Sequence, residues 1–400
     1  MSRIPTLSDL DVKDKKVLVR VDFNVPLDSE GAISDDTRIV ASLPTIQHLL
    51  KSGAKVILMS HLGRPKGKSA SLSLSPCAKR LSELLGIPVK MAPDCVGDEV
   101  KSLIDSLKQG QCLLLENLRF YKAEEEPEID PEFAKKLASL ADLYVNDAFG
   151  TAHRAHSSTA TIAAHFPNKK AAGSLLEKEI AFLGEALKNP KRPFYAIIGG
   201  AKVSSKLGVL LALVQKVDVL LIGGGMSYTF LKAQGVSVGD SMVENDMLDK
   251  ANEILNACKK NGVQLFLPLD VVAACAFDNN AEYKTFDIPP GISDGFQGMD
   301  TGPKTVAIWK NELKKAKTVL WNGPVGAFEL DNFSKGTFEL AKAVASLDDA
   351  ITIIGGGDSV AAVQRAGLAD KMTHISTGGG ASLEYLEFGS LPGLDALITK

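Results

Sequence analysis

The feature that most constrains this chain is a recurring pair: a short, continuous apolar run rich in Val, Ile and Leu, then a segment with helical periodicity. The runs are KVLVRV (16–21), KVILMS (55–60), CLLLE (112–116), DLYVN (142–146), FYAIIGG (194–200), VDVLLIGGG (217–225), QLFLP (264–268), KTVLWN (317–322), AITIIGGG (350–357) and THIST (373–377). A strand exposed on one face alternates apolar and polar residues; one that is apolar throughout needs cover above and below, which parallel sheets obtain from helices. The pattern predicts the α/β class, with doubly wound parallel sheets in three layers. Ten candidate strands in 400 residues suit two such sheets better than one, because a single core stops growing near roughly 250–300 residues.

The segment GSLLEKEIAFLGEALKNPKRP (173–193) reads as an amphipathic helix with a proline-rich exit near the middle of the chain. It is the expected connector and hinge, dividing a first domain (1–172) from a second (194–388). In the first half, SDDTRIVASLPTIQHLLKSG reads as a helix with an acidic start and a Lys-Ser-Gly stop, and EEEPEID (124–130) reads as a solvated acidic loop.

Several classes are disfavoured. No run approaches the roughly 18 apolar residues of a membrane span. The N-terminus MSRIPTLSDLDVKDKK lacks an apolar secretory core, so a cytoplasmic protein is expected. Five cysteines, Cys77, Cys95, Cys112, Cys258 and Cys275, are widely spaced and form no C-x-x-C pair, so neither disulfides nor zinc is indicated. A net charge of −3 gives no long-range attraction for nucleic acid or anionic lipid.

In open α/β sheets, ligands bind beyond the carboxyl ends of the strands. In the first half the strands run into Asp22-Phe23-Asn24, His61-Leu62-Gly63-Arg64, Arg119 and His153-Arg154-Ala155-His156, a cationic set suited to a phosphate or carboxylate. In the second half they run into Gly199-Gly200-Ala201-Lys202, Gly223-Gly224-Gly225, Gly323-Pro324, Gly355-Gly356-Gly357-Asp358-Ser359 and Thr377-Gly378-Gly379-Gly380. Glycine turns that open helices let phosphates approach the backbone, so this half reads as a nucleotide site.

Lys202 and Lys206, four apart, are expected on one helix face, where lysine at a helix start favours a bound anion over a solvated face. Arg38 is placed either to pair with Asp35 or Asp36 or to meet an anion. Asp358 is either a helix N-cap or a Mg²⁺ ligand beside a polyphosphate. Glu329 is either a surface carboxylate or a ligand contact.

The familiar fingerprints are missing: no G-x-G-x-x-G opens a helix, and neither G-x-S-x-G nor H-E-x-x-H occurs. GRPKGKS (63–69) imitates a Walker A loop, with three residues between its glycines where four are required.

Taken in order, RVDFNVPL (20–27), SHLGRPKG (60–67), ENLRFY (116–121), NDAFGTAHRAHSS (146–158), GGAKVSSK (199–206), GGGMSYTFLK (223–232), WNGPVGAFE (321–329), GGGDS (355–359) and STGGGASLEYLE (376–387) make the chain resemble the phosphoglycerate kinases over essentially its whole length. That resemblance implies two Rossmann-like domains, the first for 3-phosphoglycerate or 1,3-bisphosphoglycerate and the second for Mg-ADP or Mg-ATP. It also implies a monomer whose last residues (389–400) return to the first domain. The implied substrate contacts are Asp22, Phe23, Asn24, Arg38, His61, Leu62, Gly63, Arg64, Arg119 and Arg154. On the nucleotide side the resemblance implies Lys202, Lys206 and Asn322 near the phosphates, Gly298 and LPLD (267–270) around the base, and Glu329 on the ribose. Gly356, Gly357, Asp358 and Ser359 are implied at phosphate and Mg²⁺, with Asp358 as the metal ligand. Arg38 and Lys202 are the expected catalytic pair.

Two positions depart from the family pattern. Ser205 stands where many members have Asp, and Phe388-Gly389 replaces Gly-Lys. In GTAHRAHSS (150–158), Arg154 is the expected anion contact, and the histidines are expected to tune a basic patch with a charge that varies near neutral pH.

Overall fold

Each apolar run becomes a parallel strand. The computed structural model describes residues 3–399, apart from the side chains of 185–187. It divides into two compact units, Met1–Ala181 with Ser390–Lys400 and Phe182–Gly389. In the first, β1 (Lys16–Arg20), β2 (Lys55–Met59), β3 (Val89–Met91), β4 (Cys112–Leu114), β5 (Leu143–Asn146) and β6 (Lys170–Ala172) form one sheet of order β3-β4-β2-β1-β5-β6. Helices α1 (Thr37–Lys51), α2 (Ser75–Leu85), α3 (Asp98–Asp105) and α4 (Glu132–Ala138) flank it, and α5 (Ser174–Lys188) contains the division between the units. β1 pairs in parallel with β2 and β5, so its end lies in the middle of the sheet edge. Val17, Val19, Val56 and Leu58 meet Ile39, Ile46 and Leu81 of the helices in the core.

The second unit repeats the plan. β7 (Phe194–Ile198), β8 (Val219–Ile222), β10 (Gln264–Phe266), β15 (Thr318–Asn322), β16 (Ile351–Gly355) and β17 (His374–Ile375) form a sheet of order β10-β8-β7-β15-β16-β17. Two small sheets are added: β9 (Ser237–Val238) with β13 (Gly291–Ile292), and β11 (Asp270–Ala274) between β12 (Tyr283–Asp287) and β14 (Gln297–Thr301). Helices α6 (Leu207–Val214), α7 (Met226–Ala233), α8 (Leu248–Asn261), α9 (Pro303–Leu313), α10 (Lys335–Ala345), α11 (Gly357–Arg365) and α12 (Gly380–Phe388) complete this unit. The short α13 (Pro392–Asp395) belongs to the first.

All ten apolar runs are strands of the two large sheets. The edge strands β3 and β6 escape the pattern because VKM and KAA each hold three residues, one of them a lysine. The β12 segment YKTFD is mostly exposed and carries no continuous apolar signal. At the Phe388-Gly389 departure, α12 closes on Gly389 in the left-handed conformation (φ 74), donating its N–H to the Tyr385 carbonyl, a turn that glycine makes without strain.

The LPLD segment has a structural task. Buried Asp270 accepts hydrogen bonds from the backbone N–H of Lys304 (2.9 Å) and of Thr305 (2.8 Å) and from the Thr305 hydroxyl (2.6 Å), capping α9 from another strand. Asp270→Ala leaves these donors in the interior unsatisfied. It is expected to cost about 1–3 kcal/mol, read as a lower urea unfolding midpoint; an unchanged midpoint contradicts the capping role.

Candidate functional site

In the first unit the predicted cationic set converges at the carboxyl ends of β1, β2 and β4 and in the loop after β5. Arg38, in the first turn of α1, pairs with Asp22 through Nη1 and Oδ2 at 2.8 Å. It does not pair with Asp35 or Asp36: Asp36 takes Arg80 (2.8 Å), and Asp35 accepts the Thr37 N–H (2.8 Å). Asn24 accepts the Gly63 N–H through Oδ1 (2.8 Å), and the Gly63 carbonyl accepts Arg119 Nη1 (2.8 Å). Arg119 Nη2 meets Glu125 at 3.0 Å, while its buried Nε has no hydrogen-bond partner. Arg64 and Arg154 are exposed on their loops. Phe23 and Leu62 are buried in the core; the Phe23 N–H goes to Ser60, and the Leu62 N–H and carbonyl go to Asn117. They fix the loops and offer a ligand no free polar group.

Two residues that hold this cluster escape sequence reasoning. Buried Asn117 accepts the N–H groups of Leu62 and Arg119 and donates to the carbonyls of Leu62 and Leu72, so one amide ties three loops. Arg20 ends β1 with 1% exposure; it donates to Ser158 (2.8 Å), to the Val21 carbonyl and to His61 Nδ1 (3.1 Å), and lies 3.8 Å from the fully buried Glu124. The signal available was a lone arginine inside the apolar run KVLVRV. The segment EEEPEID is therefore not solvated throughout: Glu124 is buried on Ser158 and Arg20 while Glu125 and Glu126 are exposed, and burial pushes the Glu124 carboxyl up against the opposing Arg20 charge.

The same field fixes the histidines. Burial holds the His61 pKa well below its usual value, helped by the charges of Arg20, Arg119 and Arg38. Burial and the arginines take His156 down to about 3. The expectation that the histidine of the 150–158 loop changes charge near neutral pH is therefore corrected for His156: an imidazolium there would be desolvated among like charges. An arginine only donates, so His61 Nδ1 accepts from Arg20 and the neutral ring carries its proton on Nε2.

The second unit contains a cavity of about 540 Å³ walled by the glycine turns after β7 and β8, by Tyr228, Met242 and Phe277, and by Gly298 of β14. Glu329 and Asp358, both exposed, line it as well. A side chain at 298 would place Cβ 2.1 Å from the Tyr228 ring, so glycine keeps the cavity open. Met242 and Phe277, more than half exposed, were not expected at the site. The LPLD segment was expected around the base, but Leu267, Pro268 and Leu269 face a separate groove.

Lys206 is drawn in: its ammonium donates to the carbonyls of Gly199 (2.7 Å) and Asn322 (3.0 Å) and to Asn322 Oδ1 (2.7 Å). Burial lowers its pKa to about 8, opposed by the charge of Asp358. Lys202 is exposed in the loop before a 3-10 turn (Ser204–Lys206), so the two lysines do not share a helix face as the spacing suggested. Asn322 Nδ2 is buried without a hydrogen-bond partner, beside the Gly356 backbone that caps α11. Gly356 is therefore the N-cap, and Asp358 stands in the first turn facing the cavity. The Ser359 hydroxyl accepts from the Gly323 N–H (2.6 Å) and donates to the Gly355 carbonyl (2.8 Å), which leaves its backbone N–H for a ligand. Among the described residues, no group of three or more His, Cys, Asp or Glu is placed to hold a metal ion.

Residues 7–388 match the model of the phosphoglycerate kinase family. The chain is 57% identical over 394 residues to the phosphoglycerate kinase of Dictyoglomus turgidum, covering 98% of both chains. It is also 57% identical over 396 residues to the cytosolic phosphoglycerate kinase of Triticum aestivum, again covering 98% of each. The solved phosphoglycerate kinase structure from Coxiella burnetii superposes with a TM-score of 0.87 at 41% identity, over 99% of this chain and 98% of that one.

The field on the histidines has a sign that solution measurements can read. A pKa held below the unfolded value of about 6.5 means that the unfolded chain takes up a proton which the folded site refuses, so His61 and His156 make the fold less stable as pH falls below about 6.5. Histidine ring resonances of both should show no titration between about pH 5.5 and 8. A titration of either centred near 6.5 contradicts the description of the cluster.

Proposed function

The chain belongs to the phosphoglycerate kinase family, and we propose that it interconverts 1,3-bisphosphoglycerate plus ADP with 3-phosphoglycerate plus ATP by in-line, Mg²⁺-dependent phosphoryl transfer. As a member it is a kinase of glycolysis that transfers phosphate to a carboxyl group, with ADP and ATP as co-substrates. The observation that carries the finer reading is the division of donors between the units. The first gathers Arg38 and Arg119 around a neutral His61, with Arg154 near Arg119, which suits a small phosphorylated carboxylate. The second offers a base-sized cavity leading to the first turn of α11, which suits a nucleotide.

In the ATP-consuming direction the attacking group is a carboxylate, ionised at neutral pH, so the reaction needs no general base. The chain's work is to bind, orient and offset charge. The guanidinium groups of Arg119 and Arg154 hold the acid's own phosphate, and the Nε2–H of His61 donates to the bound acid. Asn24 and Asp22 orient the loop and Arg38. Arg38 and Lys202 supply positive charge to the transferring group, joined by the N–H groups of Gly357, Asp358 and Ser359 and by the Asn322 amide. Glu329 takes the ribose hydroxyls. The residues fit Mg²⁺: this ion typically uses one or two protein carboxylates with phosphate oxygens, and Asp358 is one carboxylate facing the cavity. When bound, Mg²⁺ neutralises charge on the transferred phosphate.

Transfer also requires that the two ligands meet and that water be excluded. We assign this to closure about the hinge segment 173–193, with domains 1–172 plus 389–400 and 194–388 moving as bodies. A cytoplasmic monomer is part of the same proposal, supported for location by the cytosolic wheat relative.

A coupled assay of ATP formation from 1,3-bisphosphoglycerate and ADP tests the reading, and absence of turnover overturns it. In that assay Arg38→Ala is expected to lower kcat about a hundredfold or more with little change in nucleotide affinity. Near-normal turnover removes Arg38 from its catalytic role.

A further inference from the structure

A cavity of about 820 Å³ belongs to neither site above. It lies in the second unit between α9, the β12-β11-β14 sheet and the start of α10, and it shares no lining residue with the nucleotide cavity. Its size is within the range of small-molecule sites, roughly 300–1,000 Å³.

The walls are graded from apolar to cationic. On α9 the spacing of Pro303, Val306, Ala307, Lys310 and Lys314 puts them on one face, apolar residues first and lysines in the last turn and just beyond it, while Trp309 and Leu313 face the core. Across the cleft, Val272 pairs with Thr285, and Tyr283 two residues earlier points the same way, its ring fixed edge-on against Phe333 at 5.4 Å.

Four lysines line the cleft with two acidic side chains, Glu339 and Asp300, and burial pushes the Asp300 carboxyl up to about 8. Two of the lysines are already engaged: Lys310 pairs with Glu339 at 2.6 Å, and the Lys284 ammonium sits 4.3 Å from the centre of the Phe296 ring. Lys335 stands beside Asp300 at the start of α10, and Lys314 forms no ion pair among the described residues. At the start of α10 the Gly336 N–H is taken by buried Asp300 (2.8 Å). An apolar body therefore has a wall to lie on, and a single anionic head has Lys314 at the far end of the α9 face.

We infer that this cleft is a second ligand site, for a small amphipathic organic acid with one carboxylate or sulfonate on an aromatic or acyl body. Anilinonaphthalene sulfonate is the probe, titrated by fluorescence into the full chain with and without saturating ADP. One equivalent is expected to bind in both conditions and to be displaced by octanoate but not by inorganic phosphate. Ala307→Trp fills the cleft from the α9 wall, and Lys314→Glu reverses the charge at its cationic end. Each is expected to weaken the dye at least about tenfold, with thermal unfolding and turnover retained. Dye binding that ADP abolishes, that both variants leave intact, or that phosphate displaces overturns the inference. So does the absence of bound dye.

Discussion

Like charges forced together at the end of a sheet repel, and the first unit is arranged around offsetting that repulsion without neutralising the site. Arg20 is removed from water altogether and held by Ser158, the Val21 carbonyl and the neighbouring Glu124. Arg38 is tied to Asp22, and Arg119 to Gly63 and Glu125. The histidines meet the same demand by remaining neutral. Burying a pair such as Arg20 and Glu124 has a desolvation cost that its Coulomb attraction barely repays. What the pair supplies is orientation: with Arg20 fixed, His61 presents a donor.

The second unit solves a different problem with the same sheet plan. Its cavity is walled in part by glycine turns, so close approach decides which residues fit there. Tyr228 against Gly298 leaves no space for a methyl group. Lys206 is partly buried at the strand ends, which lowers its affinity for its proton, while the carbonyl groups of Gly199 and Asn322 hold its ammonium in place. The Asn322 amide nitrogen, without a hydrogen-bond partner, lies beside the turn that opens α11, where the helix end also attracts negative charge.

The two large sheets were legible in the sequence because a strand buried on both faces declares itself as an unbroken apolar run. The positions of the residues after those runs were legible for the same reason, since topology alone puts them at the carboxyl ends of the strands. What escaped was long-range. Nothing local says that Asp270 of LPLD caps α9, that Asn117 ties three loops, or that Arg38 reaches Asp22 while Arg80 takes Asp36. The separation of Lys202 from Lys206 was missed because spacing of four implies a shared face only inside a helix, and Lys202 precedes it. Met242 and Phe277 were missed because apolar residues on loops carry no signal until the cavity between them exists.

The central claim is that the chain positions two substrates for direct transfer and contributes charge, with no residue becoming phosphorylated. The stereochemical course at phosphorus tests it most directly: ATP made chiral at its γ-phosphorus with oxygen isotopes is turned over with 3-phosphoglycerate, and the configuration of the product acyl phosphate is read by phosphorus NMR. The account predicts inversion, as one in-line displacement requires. Retention would mean two displacements through a phosphorylated side chain, and would contradict it.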